Sequence, residues 1–396
     1  MIPHHFQAEK KESGGGWIQN ELEILKQQNL YRQFRVLENI KITHATIDGR
    51  QIILFCGNDY LGLSQHPKLI QAAQKAAQEY GIGTGSARLI SGTTRVHVNL
   101  ENRIAQFLGK EKALLFSSGY LANLGALTAL VQKDDLVLLD KLSHASLIDA
   151  AQSSKGKLRV FPHGNLDYLE KILKGASEKR KWIVTDSIFS MDGDLAQLDR
   201  LVELKNRYDT YLILDEAHGT GVFGKNGKGV SEYFNLMDEV DVHIGTLSKA
   251  AGSFGGFVAG QAELIDYLIN HARSFIFETA LPPAVCAAAA CGLEMIESEP
   301  ELRARLWRNV RLLRSELTKA GAPLLAGDSP IVPMILGDEK KTLDTARFFL
   351  EKGFLIPAVR YPTVPKGKAR LRITVSAAHQ ENDIHQLMNV VKTLGS

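Results

Sequence analysis

Short apolar runs alternate with helical patterns along much of the chain. The runs fall at residues 113–116, 136–139, 158–161, 182–185, 211–214 and 242–245. Runs of this length, separated by segments of helix length, are typical of parallel strands that are joined by crossover helices and buried on both faces. The pattern therefore predicts an α/β domain built on a mainly parallel sheet.

The pattern changes on both sides of this region. Before it, a helix is predicted over residues 17–33, followed by two short strands. After residue 281 the pattern predicts one long helix over 284–319, and then an α+β arrangement with strands at 331–336 and 369–375 around a helix at 342–351.

These changes of pattern indicate domain boundaries. A chain of 396 residues is also too long to fold around one hydrophobic core of ordinary size. We predict an N-terminal arm over residues 1–60, a large domain over 61–290 and a small C-terminal domain over 291–396.

Composition narrows the classes of protein. Lys and Arg number 47 against 44 Asp and Glu, and both signs are spread along the chain, so we expect no nucleic-acid partner. Three cysteines without a Cys-x-x-Cys pair indicate neither a disulfide framework nor a zinc site, and no metal is expected. Residues 1–16 are polar and unlike a signal peptide, and the apolar stretch at 280–296 is interrupted by two prolines. We expect a cytoplasmic protein that does not cross a membrane.

Two charged residues follow the ends of predicted strands, where open parallel sheets bind ligands. Asp215 directly follows the run at 211–214, and His218 comes three residues later. The Asp-Glu-Ala-His sequence also occurs in RNA helicases, but the phosphate loop that those enzymes need is absent from the chain. Lys249 follows the run at 242–245, in a setting where burial would make its amine nucleophilic, although most lysines are surface cations.

This pair satisfies two requirements of pyridoxal 5'-phosphate, namely an amine for a Schiff base and a carboxylate for the ring nitrogen. The third requirement is a phosphate cradle. Gly119 and Tyr120 stand between a predicted strand and helix, where free N–H groups bind phosphate, and Thr246 adds a hydroxyl near the lysine. If this were the only cluster of candidate residues, an ordinary strand-to-helix turn would be the better explanation for it.

Three further residues are candidates for the active site, and each could instead have a purely structural role. His144 follows another strand end, but a single histidine is more often a hydrogen-bonded structural residue. Ser190 is similarly placed, and a local turn explains it equally well. In the strand at 369–375 we expect alternation to point only one of Arg370 and Arg372 inward, and we assign Arg372 to a substrate carboxylate with a surface salt bridge as the alternative.

Together these motifs resemble the α-oxoamine synthase family of fold-type I pyridoxal-phosphate enzymes. The resemblance runs from about Leu30 to the end and includes Asn58-Asp59-Tyr60-Leu61-Gly62-Leu63, Ser118-Gly119-Tyr120, Ser143-His144-Ala145-Ser146, Phe189-Ser190-Met191-Asp192-Gly193, Asp215-Glu216-Ala217-His218-Gly219 and Gly245-Thr246-Leu247-Ser248-Lys249. As an ordered set these motifs are highly specific. They imply a fold-type I transferase with a mainly parallel large-domain sheet and a smaller α+β domain.

The resemblance also implies roles for single residues. His144 would stack on the cofactor ring, Ser190 and His218 would lie near its phenolic oxygen, and Gly119, Tyr120 and Thr246 would line its ring and phosphate. Substrate binding would fall to Arg32, Asn58, Thr363 and Arg372.

Family members are homodimers with shared active sites, and Thr279 matches a residue that reaches the phosphate from the partner chain. Glu278 departs from the small hydroxyl residue usual beside it, and a carboxylate there would repel a phosphate.

The implied reaction joins L-alanine to an acyl thioester, carried by coenzyme A or an acyl carrier protein, with loss of carbon dioxide. A family member that uses glycine and acetyl-CoA is the nearest alternative, and members that use other amino acids and acyl donors are further ones. A non-catalytic scaffold subunit on the same fold is the alternative of a different class, and the presence of Lys249, Asp215 and His144 argues against it.

Overall fold

The computed structural model describes residues 16–394. Its strands are β1 (Glu38–Lys41), β2 (His44–Ile47), β3 (Arg50–Leu54), β4 (Lys112–Phe116), β5 (Leu136–Asp140), β6 (Lys157–Phe161), β7 (Lys181–Asp186), β8 (Tyr211–Asp215), β9 (Val242–Thr246), β10 (Gly256–Gly260), β11 (Ile331–Gly337), β12 (Phe354–Leu355), β13 (Ala358–Val359) and β14 (Ala369–Thr374). The prediction that the chain begins with a polar segment without a signal peptide concerns residues that, except for Gly16, lie outside this range.

The helices separate most of these strands. They are α1 (Gly16–Gln27), α2 (Pro67–Tyr80), α3 (Arg95–Leu108), α4 (Gly119–Leu130), α5 (Ala145–Ser153), α6 (Leu166–Lys174), α7 (Leu198–Arg207), α8 (Val230–Tyr233), α9 (Ala262–His271), α10 (Arg273–Ile276), α11 (Pro283–Ser298), α12 (Pro300–Lys319), α13 (Glu339–Glu351) and α14 (Glu381–Lys392). Within residues 16–394, none of these helices is long and apolar enough to cross a membrane.

Seven strands form the large sheet, in the order β4-β10-β9-β8-β7-β5-β6. Five of them, β9, β8, β7, β5 and β6, pair in parallel, as the alternating pattern predicts. Strand β10 was not predicted, and it runs antiparallel to both of its neighbours, β4 and β9. Glycines at both of its ends weaken the sequence signal for a strand. The fold class, a mainly parallel sheet of the fold-type I transferases, is confirmed.

Helices cover both faces of the large sheet, which explains the continuous apolar runs. Leu212 and Leu214 of β8 pack into one buried cluster, whereas Ile213 between them packs into the cluster on the opposite face. Since side chains alternate along a strand, burial of both faces requires every residue of the run to be apolar.

Two smaller sheets complete the fold. In one, β1, β2 and β3 of the N-terminal region are joined by β12 from near the C-terminus. In the other, β14 lies between β11 and β13. The N-terminal strands are thereby tied to the C-terminal part of the chain, and the domain boundaries proposed from the sequence stay predictions.

Two helix predictions were wrong in extent. The long helix expected over 284–319 is divided into α11 and α12 at Glu299, because the proline at 300 disfavours helical geometry in the residue before it and Glu299 has φ −119° and ψ 67°. Helix α1 ends at Gln27 rather than near residue 33, since Asn29 adopts a left-handed φ of 57°.

Candidate active site

A lysine and a carboxylate lie at the carboxyl ends of adjacent strands. Asp215 is the last residue of β8 and is buried, and its Oδ1 accepts a hydrogen bond of 2.8 Å from the N–H of Ala217. Lys249 follows β9, and its amine has no hydrogen-bond partner within residues 16–394. Burial lowers the pKa of Lys249 to about 8, against the opposing pull of Asp215 and Asp186. The amine is therefore easier to deprotonate than a surface lysine.

A second carboxylate lies beside Asp215. Asp186 ends β7 and pairs directly with Asp215 in the register of the two strands. Burial raises the pKa of Asp186 well above its ordinary range, and the negative charge of Asp215 adds to this effect. The N–H of His144 donates to Asp186 Oδ2 at 2.9 Å. Asp186 is therefore harder to ionise than an ordinary aspartate.

His144 lies at the same edge of the sheet and caps α5. Its Nδ1 is 2.8 Å from Ser146 Oγ and accepts from the N–H of Ser146 at 3.2 Å. Burial lowers the pKa of His144, and the charges of Asp215 and Lys249 act on it in opposite directions. The imidazole is therefore neutral near pH 7, as suits a ring that stacks on a cofactor.

His218 and Arg372 belong to a second group of buried polar residues. His218 Nδ1 lies 2.7 Å from the hydroxyl of Tyr60. Arg372 donates from Nε to the carbonyl of Ser190 at 2.6 Å and from Nη2 to Asn58 Oδ1 at 3.3 Å. Burial, followed by the positive charges of Lys249 and Arg372, holds the pKa of His218 well below its ordinary range. These bonds fix the guanidinium plane and leave some of its five N–H groups for a ligand.

The expectation that only one of two arginines points inward was wrong. Arg370 and Arg372 are two residues apart, so they project from the same face of β14, and both are buried. Their partners distinguish them. Arg370 forms an ion pair with Asp192 and also donates to the carbonyl of Met191 at 3.3 Å, whereas Arg372 has no ion pair in the described part of the chain.

The start of α4 gathers the hydroxyl groups of the predicted phosphate cradle. A Cβ added to Gly119 would lie 3.3 Å from Cβ of Thr246, which places β9 beside this helix start. Ser118 caps the helix by accepting from the N–H of Leu121, and the N–H groups of Gly119 and Tyr120 have no acceptor among residues 16–394. Such a helix start favours a phosphate.

Thr279 adjoins this region from the segment after α10. Ser117 Oγ donates to its carbonyl at 3.5 Å, and the Thr279 side chain is exposed. The carboxylate of Glu278 accepts the N–H of Thr279 at 2.9 Å. Glu278 is thus occupied with its own backbone, and the cross-subunit role of Thr279 stays a prediction.

Three predicted residues lie at the margin of this cluster. Tyr120 is half-exposed and its hydroxyl donates to Asp149. Arg32 and Thr363 are exposed, and no described hydrogen bond connects either of them to Lys249, Asp215 or Arg372. Their roles in binding stay predictions.

Four residues around the site were not predicted from the sequence. Asp186 and Tyr60 each lie within or next to a motif already noted, and the strand-end position of Asp186 could have identified it. Ser146 belongs to the Ser143-His144-Ala145-Ser146 motif but was given no role, and Asn123 lies on a helix, one turn beyond Gly119, where the sequence carries no sign of a polar partner.

The site's own geometry fits pyridoxal 5'-phosphate. An amine without a hydrogen-bond partner, a buried carboxylate at a neighbouring strand end and a helix start with unused N–H groups lie along one edge of the sheet. These match the Schiff base, ring-nitrogen and phosphate requirements of that cofactor.

Comparisons with known proteins agree with this reading. The family described as aminotransferase class I and II matches residues 50–391. An 8-amino-7-oxononanoate synthase of Geobacter sulfurreducens is 44% identical, over 96% of this chain and 97% of that protein. 8-Amino-7-oxononanoate synthase 2 of Bacillus subtilis is 42% identical over 96% and 97%.

Two solved structures extend the comparison. A serine palmitoyltransferase from S. paucimobilis has a TM-score of 0.92 at 31% identity, over 96% of this chain and 97% of that one. An 8-amino-7-oxononanoate synthase from Francisella tularensis has a TM-score of 0.76 at 32% identity, over 87% and 98%. The chain belongs to the aminotransferase class I and II family and, within it, to the α-oxoamine synthases.

Proposed function

We propose that this chain is an 8-amino-7-oxononanoate synthase, a pyridoxal-phosphate-dependent acyltransferase of biotin biosynthesis. It joins L-alanine to a pimeloyl thioester and releases carbon dioxide and the thiol carrier. The observation that carries the chemistry is the amine of Lys249, which follows β9 at the sheet edge where the neighbouring strands β8 and β7 end in Asp215 and Asp186. The identity of 44% with the relative from Geobacter sulfurreducens supports the choice of substrates.

Asp215 and Lys249 have different roles in the proposed reaction. When bound, pyridoxal phosphate supplies an electron sink for negative charge at the substrate carbon. Asp215 would accept the hydrogen bond of the ring nitrogen, and Lys249 would hold the cofactor by its amine until the amino group of alanine takes its place. The amine of Lys249 thus set free would take the proton from Cα of alanine and would later return one to that carbon. The pKa of Lys249, lowered by burial to about 8, suits both tasks near neutral pH.

The remaining residues bind and orient. Arg372 grips the alanine carboxylate, and its bonds to Ser190 and Asn58 hold the guanidinium in place for that purpose. His144 stacks on the ring, and His218 and Ser190 act near its phenolic oxygen. Gly119, Tyr120 and Thr246 bind the ring and phosphate, and Arg32 and Thr363 bind substrate from the edge of the site.

We further propose a homodimer in which Thr279 contributes to the partner's phosphate site. Leu89, Ile90 and Phe277 are 52%, 82% and 72% exposed, and a backbone bridge between Ala87 and Thr279 holds their two segments together. Exposed apolar side chains grouped in this way mark interaction surfaces. The location proposed is the cytoplasm, since the three cysteines are free. The acyl group arrives on coenzyme A or on an acyl carrier protein.

A serine palmitoyltransferase activity is the second candidate, because a structure of that name superimposes with a TM-score of 0.92. Glycine C-acetyltransferase, which uses glycine and acetyl-CoA, remains a third. Backbone similarity reports the fold, whereas the identity of relatives named 8-amino-7-oxononanoate synthase is higher, at 44% against 31%.

Product mass separates these activities. The purified protein would be incubated with alanine and pimeloyl-CoA, serine and palmitoyl-CoA, and glycine and acetyl-CoA in parallel. We expect product from the first pair only, and Lys249→Ala serves as the blank for each reaction. Product from a different pair, with none from alanine and pimeloyl-CoA, would reject the proposed function.

A further inference from the structure

The side-chain amide of Asn123 is buried and forms hydrogen bonds with both Asp215 and Ser146 at the proposed cofactor site. Asn123 lies on α4 and is 1% exposed. Its Nδ2 donates to Asp215 Oδ2 at 2.7 Å and to Ser146 Oγ at 2.8 Å. Both amide protons are thereby used, one on the carboxylate and one on the hydroxyl beside His144.

The orientation of this amide follows from its neighbours. Turning it over would bring its oxygen against the carboxylate oxygen of Asp215, with two acceptors and no proton between them. In the orientation seen, Asn123 Oδ1 is buried without a partner in the described part of the chain. An unpaired buried acceptor lowers stability, so stability alone does not account for an asparagine at this position.

The bonds continue in one direction through Ser146. Because Ser146 Oγ accepts a hydrogen bond from Asn123 Nδ2, its own hydroxyl proton is available to donate to His144 Nδ1, which lies 2.8 Å away. The N–H of Ser146 points at the same nitrogen at 3.2 Å. Nδ1 is therefore an acceptor, and the proton of the neutral imidazole lies on Nε2.

The same amide distinguishes the two neighbouring carboxylates. Asp215 receives two N–H donors, one from Asn123 and one from Ala217, whereas a single described N–H, that of His144, reaches Asp186. Donors favour the ionised form of a carboxyl group, and two adjacent buried carboxylates do not both ionise readily. Without Asn123 each carboxylate would keep one donor, so Asp215 would lose the second hydrogen bond that holds it, while burial would still oppose charge on Asp186.

We propose that Asn123 is a positioning residue: its hydrogen bond holds the carboxylate of Asp215 in place to accept the hydrogen bond of the cofactor's ring nitrogen, and through Ser146, whose backbone N–H acts in the same direction, it helps to keep the proton of His144 on Nε2. The proposal rests on the proposed function, because it requires that pyridoxal phosphate bind here. Helix α4 would then have two roles, because its first turn would bind the phosphate and its next turn would position the carboxylate of Asp215.

Cofactor affinity tests the proposal without any turnover. Apoenzyme would be titrated with pyridoxal 5'-phosphate and with its 1-deaza analogue, in which a C–H group replaces the ring nitrogen. Asn123→Leu keeps the branching and the number of heavy atoms of the side chain and removes both donors. We expect it to weaken pyridoxal phosphate about tenfold or more and the deaza analogue less than about twofold, because only the first ligand uses Asp215.

Matched variants separate positioning from folding. Asn309→Leu removes another buried amide that also donates two hydrogen bonds, to the carbonyls of Ser376 and His379. It should lower Tm while the affinity ratio of the two ligands stays that of the wild type. Ser146→Ala cuts the branch to His144 and should also keep this ratio. Should Asn123→Leu fail to fold, Asn123→Ala removes the same donors with less steric change and carries the same expectation.

The outcomes of these titrations either support or overturn the proposed role of Asn123. Equal weakening of both ligands by the Asn123 variants, or no weakening, would overturn the proposal, and so would loss of the ratio in Ser146→Ala. If neither Asn123 variant folds, ¹⁵N-histidine spectra of wild-type apoenzyme decide, with His144 assigned through His144→Gln: a protonated Nε2 supports the proposal and a protonated Nδ1 rejects it. Wild-type protein that binds no pyridoxal phosphate would instead reject the proposed function, and a wild type that binds it but makes no product would reject only the substrates.

Discussion

At the scale of single residues, the lowered pKa of Lys249 gives a prediction for cofactor loading. The neutral amine is the nucleophile, so the rate of covalent attachment to apoenzyme should rise with pH and level off above about 8, where burial places the pKa of Lys249. An exposed lysine would require a pH near 10.4. Stopped-flow absorbance across about pH 6.5 to 9.5, a range that spans roughly one and a half units on each side of the pKa of Lys249, measures this. A rate that still climbs about tenfold per pH unit at the upper end would contradict it.

The two buried arginines of β14 give a matched pair of variants. Arg372→Leu removes the proposed carboxylate grip, so alanine affinity should fall about tenfold or more while the cofactor stays bound. Arg370→Leu removes the ion pair with Asp192, so it should lower Tm but leave alanine affinity within about threefold. Alanine titration against the cofactor absorbance measures both variants. Unchanged alanine affinity in Arg372→Leu would reject its role.

The same arginines show which properties of single residues can be predicted from the sequence. Lys249, Asp215 and His144 follow apolar runs, so their place at the sheet edge was predictable. What separates Arg370 from Arg372 is a partner, Asp192, that lies far away in sequence. Asn123 was missed for the same reason, because its partner Asp215 is reached only through the packing of α4 on the sheet.

At the scale of elements, the contact between β10 and the start of α4 positions the phosphate cradle. A Cβ on Gly256 would lie 2.4 Å from the backbone N of Gly119, so Gly256→Ala must displace the helix start. We expect a loss of about 1–3 kcal/mol in stability and weaker cofactor binding. Gly260→Ala, at the far end of the same strand, meets the flexible end of Leu264 and should leave cofactor affinity unchanged. Equal affinities in the two variants would refute this role of the contact.

The elements themselves were predictable to the extent that local pattern specifies them. The parallel strands have uniform apolar runs and were found. Strand β10 has a run of three apolar residues between glycines, and it is a strand only because β4 and β9 supply hydrogen bonds on both sides. The division of α11 from α12 was readable from the proline at 300 and was overlooked.

At the scale of the whole molecule, the apolar patch of Leu89, Ile90 and Phe277 should be the dimer interface. Ile90→Asp places a charge in it and should convert the dimer to a monomer with weaker cofactor binding, since Thr279 would lose its partner. Val160 is 47% exposed on β6, the edge strand at the opposite end of the sheet from β4, so Val160→Asp serves as the control. Sedimentation gives the masses. A wild-type mass of one 43.6 kDa chain would contradict the proposed assembly.

The central claim is that this fold holds pyridoxal phosphate through Lys249, and one measurement tests it most directly. The loaded protein would be reduced with borohydride, digested and mapped by mass spectrometry. We predict a single pyridoxyl label, on Lys249, and no label in a Lys249→Ala protein whose Tm shows that it is folded. A label on any other lysine, or reduced wild-type protein without a label, would contradict the account.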